Sequence, residues 1–220
     1  METINKYTCR QQAQFLIEAV TPLALGSGVK DVITDALVAT DCNDMPYLPG
    51  TTIAGIFRSL CASAQEGVEQ LDLDALFGWQ NNDKGEGSRL FFSDGRILNS
   101  KGEVMDGLNQ KVYNDPLLSA YLNLPIRQHA SLGPSGTTVN TGKFDQQVVF
   151  AGTRFMFQIE MISEDTDMTK LLSLIKRLQS MEFRLGSGSR KGYGKIRVLK
   201  AGTRCFDLKD VENGLKPYLA

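Results

Sequence analysis

The sequence holds one histidine and one tryptophan in 220 residues. A multi-histidine metal site is therefore excluded, and a catalytic pair that needs imidazole must use His129. Cysteine is sparse as well. Cys9, Cys42, Cys61 and Cys205 lie far apart, without the close spacing of a zinc site, and read as reduced thiols. No apolar run approaches the roughly 20 residues that cross a bilayer. The N-terminal METINKYTCRQQAQFLIEAV mixes charged and polar residues before its first apolar stretch, unlike a secretory leader, so cytoplasmic residence without membrane contact is expected. Net charge is nearly absent: it is −1, with a pI of about 5.9, less basic than a dedicated nucleic-acid binder.

The charge that is present is segregated. From Arg184 to Arg204 the chain carries Arg184, Arg190, Lys191, Lys195, Arg197, Lys200 and Arg204 with no acid among them. A local stripe of this kind suits a phosphate backbone even in a near-neutral protein.

Hydrophobic residues make up 42% of the chain, ordinary for a globular protein, and the length suits one large domain or two small ones. AQFLIEAV (13–20) predicts a strand. Residues 21–45 form a long connection dotted with Gly and Asp. Ile53, Ile56, Phe57 and Leu60 at i, i+3, i+4, i+7 predict a helix over 51–65, which Thr51 or Thr52 could cap. A short helix is expected at 71–79, a flexible loop at 81–88 and a strand with a turn at its end at 88–98. Residues 99–126 show no period, and 127–146 look like an extended excursion with a Gly-Pro-Ser-Gly turn. A strand pair follows over 146–162, then a helix over 165–182 capped by Asp165 or Thr166, a glycine loop, a last strand and a short helix in KDVENGLKPYL.

Without its loops the order is strand, helix, strand, strand, helix, strand. That predicts an α+β fold with a ferredoxin-like (RRM-like) βαββαβ core. One domain over 1–220 is expected, with insertions at about 21–50 and 99–146.

Two stretches carry chemistry. In GSGSRKGYG (186–194), Gly186, Gly188, Gly192 and Gly194 allow close backbone approach, Ser187 and Ser189 bring hydroxyls, and Arg190 and Lys191 bring charge. Such a loop can cradle phosphate, or be a plain surface turn; it has neither Walker A spacing nor the strand-to-helix order of a dinucleotide fingerprint. In LPGTTIAGIFRS (48–59) a rigid turn precedes two hydroxyls, a helix start and an off-face Arg58. Helix starts attract anions, and the same residues serve a simple cap. Asp31, Asp35, Asp41 and Asp44 crowd the 21–45 connection, where carboxylates could hold Mg²⁺ or be merely solvated. His129 beside Arg127 could act as a general base toward a ribose 2′-hydroxyl, or simply pack.

Taken in order, these stretches resemble a known family. YLPGTTIAGIFRSL, LDALFG with SRLFFSD, TGKFDQQVVFAGTRFMFQI and LGSGSRKGYGKI resemble successive blocks of the RAMP superfamily, in particular backbone subunits of type III (Csm/Cmr-like) CRISPR effector complexes. Ala54 stands where the family often has lysine, and Gln147 where glutamate is common. The resemblance implies a modified RRM-like fold whose copies stack along a CRISPR guide RNA, with a thumb wedged into the guide–target duplex. Implied partners are guide RNA, target RNA, further copies or related RAMP subunits, and the large and small subunits of the complex. The RNA-contacting residues implied are Thr51, Thr52, Arg58, Arg127, Gly186, Ser187, Gly188, Ser189, Arg190 and Lys191. Some such subunits cut target RNA with a divalent cation such as Mg²⁺ and one aspartate. Counted back from Pro49-Gly50, that residue falls at or next to Asp35, which could also hold the metal, with Asp31 as runner-up. The alternatives are a non-catalytic structural or capping subunit, and a metal-independent guide-processing endoribonuclease using His129.

Overall fold

The computed structural model describes residues 7–28, 34–62, 73–108, 114–132, 135, 138–165, 167–180 and 183–207. In chain order the elements are β1 (Cys9–Ala19), α1 (Gly50–Ala62), α2 (Leu73–Phe77), β2 (Trp79–Asn81), β3 (Lys84–Glu86), β4 (Leu90–Phe92), β5 (Arg96–Ile97), β6 (Ile126–Leu132), β7 (Thr138–Gln147), β8 (Arg154–Ser163), α3 (Thr169–Ser180) and β9 (Ile196–Asp207). The fold is mixed α+β with mostly antiparallel sheets. The central sheet has the order β4-β8-β1-β9, with β5 also paired to β8, and every pairing in it is antiparallel.

The alternation of β1 explains its place. Cys9, Gln11, Ala13, Phe15, Ile17 and Ala19 are buried, while the intervening residues turn to the other face. β8 repeats the pattern, burying Phe155, Phe157, Ile159 and Met161. Phe15 stacks on Phe157 at 5.0 Å between ring centroids and meets Phe57 of α1 edge-on at 6.4 Å. Ile53 and Phe57 of α1 and Leu171, Leu174 and Ile175 of α3 join the same core cluster. Both helices therefore cover one face of the sheet, and no described element covers the other.

Several local expectations are corrected. The stretch read as a loop at 81–88 is largely a hairpin: β2 pairs with β3, and Asn82 takes a left-handed φ of 51° in the turn. The strand expected over 88–98 is interrupted, because Gly95 pairs with Leu48 instead and Asp94 leaves the ladder. Neither Thr51 nor Thr52 caps α1. Asp94 does so from across the chain, its Oδ1 accepting the Gly50 N–H at 2.8 Å. α3 starts at Thr169, with Asp167 accepting the Thr169 N–H at 3.0 Å; Asp165 braces Asp167 instead of capping the helix. The expected C-terminal helix in KDVENGLKPYL and the cap candidate Thr166 lie outside the described residues. Among the described residues no helix is long and apolar enough to cross a membrane.

Because Phe15 is fully buried between two other rings, Phe15→Ala is expected to lower the free energy of unfolding by about 3–5 kcal/mol. The urea midpoint reads this, and a loss below about 1 kcal/mol would contradict the packing.

Candidate nucleic-acid interface

The glycine loop leaves α3 and returns to β9 against the C-terminal end of β1. Ser187 N–H donates to the Ala24 carbonyl at 2.9 Å, Gly194 N–H to Pro22 at 2.9 Å and Val20 N–H to Lys195 at 2.8 Å. Gly186 and Gly194 have φ of 80° and 85°, and a Cβ at either would collide with the carbonyl oxygen of Ala24 or Leu185 respectively. Only glycine fits at these two contacts. Gly188 and Gly192 bracket one 3-10 turn, Ser189–Lys191, whose three side chains are exposed.

The start of α1 faces this loop. Thr52 and Ile56 share a groove of about 380 Å³ with Pro49, Ala24, Leu25, Gly26, Arg184, Gly186 and Ser187. Thr52, Gly186 and Ser187 are thus brought together. Thr51 and Arg58 are exposed on α1 and do not line the groove. Arg58 lies six residues beyond Thr52, about a third of a turn out of line with it on the helix.

The β6–β7 ribbon docks on the loop through one side. Arg127 pairs in register with Gln146, and His129 with Phe144, so these four side chains share a face. Gln146 Nε2 donates to Ser187 Oγ at 3.0 Å. Lys191 Nζ stands 4.1 Å from the centre of the Phe144 ring. His129 stacks on Phe144 at 4.8 Å, and its Nε2 is 3.4 Å from the Tyr193 hydroxyl. Desolvation, helped by the Lys191 charge, holds the His129 pKa below its ordinary value. Arg127 is exposed on the same ribbon face.

Asp35 is exposed and lies at the foot of the ribbon, where its Oδ2 accepts the Asp145 N–H at 3.0 Å. The chain beside it is stitched to β7: Ala36 bridges Gln146, and Val38 N–H donates to Gln147 Oε1 at 3.0 Å. Asp35 is thereby one residue along β7 from Gln146, the residue that reaches the glycine loop. Asp31 lies outside the described residues. Among the described residues no three His, Cys, Asp or Glu side chains are placed to hold a metal ion.

Sequence reasoning did not assign roles to Gln146, Phe144, Tyr193 or the groove-lining Arg184, whose Nη1 donates to the Tyr193 carbonyl at 2.9 Å. Arg184 was visible as the first member of the basic run. The other three carry no signal until the ribbon register is known.

Comparison with known proteins gives two findings. The model of the RAMP superfamily matches residues 16–197. A search of curated proteins finds no match. Among solved structures, a chain in the cryo-EM structure of the type III-B Cmr-beta bound to cognate target RNA is similar in fold, with a TM-score of 0.58 and 16% identity. The similarity covers 88% of this chain and 60% of that one, so this chain spans about three-fifths of its length.

The lowered pKa of His129 has a sign that can be measured. Folding favours the neutral ring, so the contact contributes fully above about pH 6.5 and weakens as pH falls toward the lowered folded value. Urea midpoints between pH 5 and 8 are expected to drop on acidification more for the wild type than for His129→Phe. Parallel curves would remove His129 from the contact between ribbon and loop.

Proposed function

The chain belongs to the RAMP superfamily, and from that premise we propose that it is a guide-RNA-binding backbone subunit of a type III CRISPR effector complex. Its partners on this reading are the guide, the target RNA, further copies or related RAMP subunits, and the large and small subunits of a cytoplasmic complex. We read the core as ferredoxin-like: β1, α1, β4 with β5, β8, α3 and β9 follow one another as βαββαβ, and the antiparallel order β4-β8-β1-β9 supports this. The β6–β7 ribbon takes the part of the thumb.

One observation carries the proposal: the start of α1 and the glycine loop share a groove, with the ribbon tied to the loop through Gln146 and Ser187. Thr52 offers a hydroxyl, the glycine-bracketed turn offers backbone close to its surface, and Arg184, Arg190 and Lys191 offer positive charge. All of these address ribose and phosphate, none a particular base. Sequence choice is then left to pairing with the guide.

Cleavage of the target falls to Asp35. With one carboxylate oxygen fixed by the Asp145 N–H, the other accepts a proton from a ribose 2′-hydroxyl. The ribose 2′ oxygen attacks the adjacent phosphorus, the bond from phosphorus to the 5′ oxygen breaks, and the departing oxygen takes a proton from water, leaving a cyclic phosphate and a 5′-hydroxyl. A single exposed carboxylate fits a divalent cation such as Mg²⁺ only if RNA phosphate oxygens and water complete its shell. Asp35 is the residue that would hold it, and the ion would supply neutralisation of phosphate charge. The hydrogen bond that ties Asp35 to β7 also favours a second reading, a structural or capping subunit in which this carboxylate only fastens the ribbon. The His129 ring is engaged by Phe144 and Tyr193, so the guide-processing reading is not adopted.

Purification with associated nucleic acid, followed by sequencing, is expected to recover a repeat-tagged guide; random cellular RNA would defeat the proposal. In the assembled complex Asp35→Ala is expected to keep target affinity within about twofold while slowing cleavage about 100-fold or more. Cleavage at the wild-type rate would leave the structural reading. Arg190→Ala with Lys191→Ala is expected to weaken RNA binding and flatten its salt dependence by about 0.7 per lost contact.

A further inference from the structure

We propose that the face of the central sheet that no described element covers is a second contact surface for single-stranded RNA, separate from the groove at the glycine loop; this rests on the reading of the chain as an RNA-binding subunit. Over β1 and β8 the face is polar apart from Leu16, Met156 and Ile162, and its charges are unevenly matched. Its described β1, β8 and β9 residues carry two carboxylates, and both are already paired; at the β5 edge Arg96, in one row with Met156, Leu16 and Lys200, holds Asp41, Asp94 and Asp106. Glu18 bonds Arg154 at 3.0 Å and Arg197 at 2.6 Å, which holds its carboxyl below the usual carboxylate range. Glu160 pairs with Arg10 at 3.3 Å. Lys200 and Arg204 remain, exposed and without an ion pair among the described residues. They sit on the same face of β9, opposite Leu16 and Gln12 in register. Four residues of strand separate them by about 13 Å.

The residue between them points to close approach from outside. Gly202 lies in mid-strand opposite Gln14, and a Cβ built there meets nothing within 4 Å. No internal contact demands a glycine, and glycine weakens a strand interior. What its absent side chain does is leave the backbone bare between two cations.

The register supplies the third element. Arg204 pairs with Gln12, Gln12 with Glu160, and Glu160 with Phe91, one row across four strands. Phe91 ends that row 52% exposed. The amides of Gln12 and Gln158 both donate to Glu160, at 2.9 and 2.7 Å, making a flat polar floor between the two edges. Cations along one edge and an exposed ring at the other fit a strand whose backbone follows β9 and whose unstacked bases lie across the sheet toward Phe91. A duplex keeps its bases stacked inside and would use only the cations.

Fluorescence anisotropy with the full chain and a labelled uridine homopolymer tests this. Lys200→Ala with Arg204→Ala is expected to weaken binding about tenfold and to lower the slope of log affinity against log salt by about 1.4, two contacts at about 0.7 each. Phe91→Ala is expected to weaken it about fivefold, and Gly202→Val, which the open space admits, to weaken it as well. A 4-thiouridine homopolymer cross-linked to the wild-type chain is expected to mark peptides containing 90–92 or 196–207. Sheet variants that bind like the wild type while the Arg190, Lys191 pair weakens binding would overturn the sheet surface and leave the groove standing. If neither set matters, both fall. Cross-links confined to 126–147 and 184–194 would also overturn it. So would poly-L-glutamate competing as well as RNA with Phe91→Ala without effect, which would assign the face to an acidic protein.

Discussion

The contact between the Gly186 backbone and the Ala24 carbonyl is the constraint on which the candidate site depends. A side chain at 186 would push the loop off the end of β1. Ser187 would then lose the Ala24 carbonyl, and with it the position from which its hydroxyl accepts Gln146. The ribbon would lose one of its attachments to the loop, and the groove beside Thr52 would lose a wall. A backbone contact that excludes every side chain thus sets the geometry of groups on four separate segments.

The sheet divides the molecule into two environments with different physics. On one face, aromatic and aliphatic packing around Phe15 supplies the stability and fixes the register of β1 against β8 and β9. On the other, hydrogen bonds and ion pairs hold long polar side chains in place, and Glu18 between two arginines does most of the electrostatic matching. Exposed pairs of this kind add little to stability. Their effect is to decide which cations remain available.

Much of the fold could be read before the structure. RFMFQIEMI alternates from Phe157 to Met161, and Phe155, Phe157, Ile159 and Met161 are buried as that pattern requires. The apolar faces of α1 and α3 were legible for the same reason. The β2–β3 hairpin was not, because all six of its strand residues are exposed and show no alternation. Nor was the cap on α1, since Asp94 lies 44 residues from the N–H it accepts. At the site, Thr52, Gly186 and Ser187 were legible singly from residue type. Their convergence needed the crossing of α1 and the loop. The ribbon residues Phe144 and Gln146 were hidden because a register, unlike a motif, is a property of two segments at once.

Asp94 serves two masters. One carboxylate oxygen receives the first N–H of α1 at 2.8 Å and the other receives Arg96 at 3.2 Å, while Arg96 also bonds Asp106 at 3.1 Å and lies over the Tyr47 ring. The LPGTT segment is therefore not portable. Transplanted into another scaffold without positions 94, 96 and 106, it would keep its spelling and lose its orientation, so a search for this short string alone would collect impostors that share the letters and not the geometry.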